Sequence, residues 1–224
     1  MATQNFTAPD DGTAPLARLT PENTIYAEPF ALADCREMTL LSCRFTGEGA
    51  LSRLTDSLLS ECVLAASAAG ALRYGVCLNL QGGAIDAPDA LFGGETVTVE
   101  RMTVSGGGFA AGCREMVLRD ARFTGERLFA LCTSLRAENV EVTGDGALAS
   151  LADSSIDFST LTGRDLLWGA RDVTVTDTVI DGDRFGYFTE NLTLRGCLIT
   201  GREPLRFTRG LVLDGCKVVD PAGA

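Results

Sequence analysis

Histidine is absent from the 224 residues, and lysine occurs once, at Lys217. The first absence removes the commonest general base and the commonest metal ligand together. No stretch approaches the roughly 18 uninterrupted apolar residues that a spanning helix needs, and the opening twelve residues have neither the basic nor the apolar segment of an export signal. A soluble, cytoplasmic chain is the expectation. Basic residues are also scarce, 19 Lys+Arg against 30 Asp+Glu for a net charge of −11, which argues against nucleic acid and anionic membrane as partners. No two of the eight cysteines stand in a C-x-x-C pair, so the usual zinc and thioredoxin spacings are missing. Without an export signal they are expected to be reduced thiols. No metal or cofactor is expected.

What is present is apolar side chain, 46% of the residues, enough for a continuous core in one or two domains. Its distribution is periodic. Cys43 to Cys62, Cys113 to Cys132 and Cys197 to Cys216 are each separated by 19 residues, a repeat period rather than a ligand spacing. Cutting at that period gives ten units, beginning at Ala31, Ala50, Ala71, Ala90, Phe109, Leu128, Ala147, Leu166, Phe185 and Pro204, of which only the second departs, with 21 residues. The fifteenth position of the units is apolar throughout: Phe45, Leu64, Ile85, Val104, Phe123, Val142, Leu161, Ile180, Ile199 and Val218. The eighth and tenth positions form a second inward pair at period two, and the thirteenth and fifteenth a third, so each marks a short strand.

Between the strands lie corners. Asp, Asn or Gly recurs at the seventh position (Asp56, Asp153, Asp172, Asn191, Gly210) and the twelfth (Asp120, Asn139, Asp177, Gly196, Gly215), where these residues tolerate a left-handed bend. Glycine holds the seventeenth position in most units. On the remaining side the first two positions trade volume, small then large in Ala147-Leu148 and large then small in Phe185-Gly186, as a close-packed interior demands. The spacing therefore predicts an all-β fold: a single-stranded right-handed parallel β-helix, a solenoid of about ten 19-residue coils with three short strands per coil. A leucine-rich repeat shares part of the pattern, but its longer return path does not fit the nine residues left here. The right hand follows from the general preference for right-handed parallel crossovers. Residues 1–29, with Pro9, Pro15, Pro21 and Pro29, read as an arm plus a partial first coil, and 30–224 as the β-helix.

The coils 90–99, 166–180 and 185–199, with their aromatic residues, Asp or Asn before an alternating apolar strand, and Gly-Cys corner, resemble an uncharacterised bacterial family. It is domain-of-unknown-function family 3737, with a pectin lyase-like fold. The resemblance covers nearly the whole chain from about Thr24. It implies the β-helix and little about function.

Two functional readings compete. The favoured one is a non-catalytic binding or scaffold module. The third position, expected to face outward, holds Phe92, Trp168, Tyr187 and Arg206, and the last three fall on consecutive coils. They form a candidate strip for a carbohydrate or protein ligand; the neighbouring Phe188 and Phe207 read as core or corner packing. The alternative is a carbohydrate-active enzyme of the pectin lyase or polygalacturonase type. Its carboxylates would come from Glu138 and Asp157, neighbours at the eleventh position, or from Asp177, Asp181 and Asp183. Arg119 and Arg195 in that same eleventh column read instead as charge compensation, so no catalytic residue is assigned. The cysteines at the fifth and thirteenth positions read as small core residues. An uncovered last coil, with Pro221 after it, predicts either a cap or a homodimer.

Overall fold

The computed structural model describes residues 17–219. The proline-rich start of the arm, with Pro9 and Pro15, and the terminal Pro221 lie outside the described residues. Among the described residues there is no helix, hence none long and apolar enough to cross a membrane. The chain is a parallel β-solenoid with two sheets, one of eleven strands and one of ten, in which every strand pairs with its counterpart one coil away.

The ten-stranded sheet carries the longer strands, six residues in most coils, such as Arg114–Arg119 and Arg171–Thr176. Its inward side chains are the eighth and tenth positions, in register from coil to coil: Met116 opposite Leu135, and Leu118 opposite Ala137. The eleven-stranded sheet is built from two- and three-residue strands such as Arg122–Thr124 and Glu141–Thr143. Phe123, Val142, Leu161, Ile180, Ile199 and Val218 stack through it in one file. Every member of that file is buried except Val218, on the last coil. The first sheet reaches back to an isolated bridge between Ala17 and Arg36, and Ile25–Tyr26 pairs with Arg44–Phe45. Tyr26 there stacks on Phe45 with ring centroids 4.9 Å apart.

The third strand of each coil does not form. That side is a run of turns, because its backbone turns left-handed at every second residue, as at Arg127 (φ 53°), Phe129 (55°) and Leu131 (62°). A strand would send neighbouring side chains to opposite faces. Here the first and second positions both point inward, and Leu128 and Phe129 are both fully buried. The volume exchange between these two positions is therefore a packing rule for two adjacent core residues. Hydrogen bonds still join the coils: Phe129 N–H donates to Phe109 O at 3.0 Å, and Leu131 N–H to Ala149 O at 2.8 Å.

The twelfth-position corners are left-handed as expected, at Asp120 (50°) and Asn139 (53°) among others. The seventh-position residues are left-handed too, but Asp56, Asp153, Asp172 and Asn191 bend the backbone inside the six-residue strands and are not corners between strands. The long second coil places its extra residues in one corner. Phe45 pairs with Leu64 at the normal interval, whereas Leu64 pairs with Ile85 and Leu72 N–H bonds Ala50 O, which confines the insertion to residues 65–70.

Candidate functional site

The turn side positions the candidate strip. Backbone hydrogen bonds from Tyr74 to Phe92, Gly93 to Ala111, Gly112 to Ala130, Leu131 to Ala149, Ser150 to Trp168, Gly169 to Tyr187 and Phe188 to Arg206 set the third-position residues on successive coils. Phe92 is exposed and packs edge to face on Tyr74, with centroids 5.9 Å apart. It stands four coils from Trp168, about 19 Å at the spacing of paired strands, with Ala111, Ala130 and Ala149 between. Phe92 is thus not part of one strip with the others.

Trp168, Tyr187 and Arg206 are brought together, but not as three outward platforms. Trp168 is 37% exposed and Tyr187 only 6%. Tyr187 lies beneath its neighbours, and its hydroxyl donates to Glu203 Oε2 at 2.9 Å. Arg206 turns to the same carboxylate and pairs with Glu203 Oε1 at 3.0 Å. The outer layer of the strip is made instead by Phe188 and Phe207, 48% and 64% exposed. They are surface residues, not the core or corner packing expected of them. Their rings stack with centroids 4.9 Å apart and 10° between planes, and Trp168 leans on Phe188 at 5.0 Å. The signal was available at the fourth position, where Asp34, Arg53 and Ser150 stand in other coils and are exposed.

Beside the strip is a charged recess of about 410 Å³ lined by Arg164, Asp183, Arg184, Arg202 and Glu203. Its arginines are paired across coils: Arg164 with Asp145, Arg184 with Asp165, and Arg202 with Asp183, each at 2.5 Å. Hydrogen bonds from Arg164 and Arg202 hold the Asp145 and Asp183 carboxyls below the usual carboxylate range. Glu203 belongs to both the recess and the strip.

The carboxylates weighed for catalysis are dispersed. Glu138 is indeed in register with Asp157, but Arg119 sits between Glu100 at 3.2 Å and Glu138 at 3.9 Å. Asp181 accepts a hydrogen bond from the Thr200 hydroxyl at 2.7 Å, and Asp183 is held by Arg202. Among the described residues no three Cys, Asp or Glu side chains are placed to hold a metal ion. The cysteines of the fifth and thirteenth positions are buried except Cys216 on the last coil. Several of them satisfy interior carbonyls: Cys113 Sγ donates to Leu91 O and Cys132 Sγ to Ala110 O, both at 2.9 Å, and Cys62 Sγ to Leu40 O at 3.4 Å. The hydrogen bond with Cys132 and burial both push the Cys113 thiol up, which leaves it unreactive.

A profile of the family described as Protein of unknown function (DUF3737) matches residues 17–224. The chain belongs to this family. Among curated proteins none matches it. Among solved structures, the DUF3737 chain is similar to the surface protein and adhesin PfbA of Streptococcus pneumoniae. The identity is 8% and the TM-score 0.45, over 91% of this chain and 80% of that one. It is also similar to QnrB1, a plasmid-mediated fluoroquinolone resistance protein. There the identity is 10% and the TM-score 0.29, over 92% of each chain.

Proposed function

We propose that this DUF3737 protein is a non-catalytic binding module whose contact surface is the Trp168, Phe188 and Phe207 strip, and that the strip meets a protein. The observation carrying this reading is the ring geometry. Phe188 and Phe207 stack on one another along the rod, and Trp168 and Tyr187 pack against them, so these rings already occupy part of one another's faces. A flat sugar ring needs an open face, whereas a protein side packs well on aromatic edges framed by Arg. The flanking Arg206, partly exposed, completes that chemistry.

The first partner to test is a second copy of the chain. The strip runs onto the last described coil, where Val212, Leu213, Val218 and Val219 are all well exposed. An apolar patch that continues from a coil's side onto an unpaired strand edge is suited to an isologous contact. Light scattering of the full chain is expected to give twice the chain mass, and the double variant Phe188→Ser, Phe207→Ser to give the monomer with unchanged circular dichroism. A strict monomer for the parent chain at high concentration overturns the self-pairing.

A further inference from the structure

The corner between the two sheets opens a second recess, of about 420 Å³, spanning four consecutive coils. Its walls are the twelfth and fourteenth positions: Arg101 and Thr103, Asp120 and Arg122, Asn139 and Glu141, Phe158 and Thr160. Met102, Ala121 and Val140 form a buried apolar floor. The volume lies within the range of ligand pockets, and the length, about 14 Å at the coil spacing, suits a short chain of rings.

Phe158 is the single apolar residue in its corner column, the twelfth position of the coils. It sits at the left-handed corner position, φ 51°, which Asn139 and Asp177 fill in the adjacent coils and Gly82 and Gly196 elsewhere. A bulky side chain on left-handed backbone carries a strain cost. Burial does not offset that cost, because Phe158 is 60% exposed. Nor does ring stacking: among the described residues no aromatic ring packs on Phe158, in contrast to Phe188 and Phe207. Its exposed side chain lines the recess.

The polar walls are fixed in place. Asn139 Nδ2 donates to Asp120 Oδ1 at 2.6 Å, and Arg122 donates through Nε and Nη2 to both oxygens of Glu141 at 2.5 and 3.0 Å. Each bond holds a side chain against its neighbour one coil away and orients the rest of the amide, carboxylate or guanidinium group. Two arginines face two carboxylates, so the recess carries no net charge in a chain of −11. Neither an anion nor a cation is selected by such a wall. A neutral ligand that both donates and accepts hydrogen bonds, and has one apolar face, matches it.

We infer that this corner recess binds a sugar ring of a neutral glycan, stacked on Phe158 and hydrogen-bonded by Asp120, Asn139 and the flanking arginines. The test is a glycan array of neutral and acidic oligosaccharides probed with the full chain, Phe158→Asn and Trp168→Ala. Binding to neutral glycans is expected, weakened about tenfold or more in Phe158→Asn by loss of the stacking contact, and unchanged in Trp168→Ala. Phe158→Asn puts at this corner the residue already accommodated at Asn139, so its melting temperature is expected to equal or exceed that of the parent chain. Failed folding then cannot stand in for lost binding. The inference is overturned if no neutral glycan binds, if only acidic glycans bind, or if Phe158→Asn binds as the parent does. Loss of binding in Trp168→Ala alone would assign the sugar to the aromatic strip and overturn the protein-contact reading as well.

Discussion

Leucine is a poor choice for left-handed backbone, yet Leu32, Leu51, Leu72, Leu148 and Leu167 all adopt it on the turn side. The left-handed conformation costs about 1–2 kcal/mol per residue, and full burial of a leucine returns about 1.5–3 kcal/mol. Burial wins because each of these side chains is at most 3% exposed. The Asp and Asn corners were legible because those residues favour the bend locally, whereas these five Leu positions were not, since what offsets their strain is burial in the packed interior. Glycine at the seventeenth position answers to a different force. A Cβ on Gly144 would run into the Gly125 carbonyl of the preceding coil, and Gly163 faces the Gly144 carbonyl in the same way. Gly112, at φ 70°, has nothing within 4 Å of the place a Cβ would take. Gly144→Ala is therefore expected to cost about 2–4 kcal/mol, and Gly112→Ala about 1–2 kcal/mol, both read from urea denaturation. Equal costs would show that backbone hand, and not the close approach of coils, keeps glycine at Gly144.

At the scale of the element, each coil is two strands and a run of turns. The two strands were legible from period-two alternation at the eighth and tenth and at the thirteenth and fifteenth positions. The third was expected to be a strand, but its first and second positions both face the interior, which the alternation of a strand does not allow. Strands and corners also differ in what they tolerate. The second coil accommodates its two extra residues in the corner at 65–70 without disturbing the register on either side. Removing Ala66 and Ser67 would return that coil to the common length. It gives up the bond from the Ser67 hydroxyl to Thr46 O at 2.8 Å, so the expected cost is below about 2 kcal/mol. Removing one residue within Val76–Gln81 instead reverses which side chains face the core. Circular dichroism and denaturation should show a folded, cooperative protein for the first deletion and none for the second. A collapsed first variant would mean that the corner sets the register.

Among the described residues the strands of each coil contact only those of the neighbouring coils, so stability is a sum of coil terms and contacts between successive coils. Ion pairs follow the same rule. Arg53 with Asp34, Arg122 with Glu141 and Arg164 with Asp145 each join adjacent coils, and being exposed they add little to stability. The ends are then the weak points. Leu213 and Val218 occupy core columns but are 47% and 42% exposed, against complete burial for Leu118 and Phe123 to within 1%. Hydrogen exchange is expected to open the amides of Val212–Asp214 and Lys217–Val219 well before those of Arg114–Arg119. Uniform protection along the rod would show that the last coil is covered in solution, as self-pairing would do. The coil length, the core columns and the corner positions were set by the sequence itself, because a repeat writes each of them many times over in local residue choice. Which outward residues meet was decided by the tertiary structure. Phe188 and Phe207 joined Trp168 while Tyr187 sank beneath them, and Phe158 was brought to the same recess as Asn139 and Asp120. Those outcomes depend on the backbone hand at each corner and on side chains stacked a coil away, and neither is written in the pattern of apolar residues.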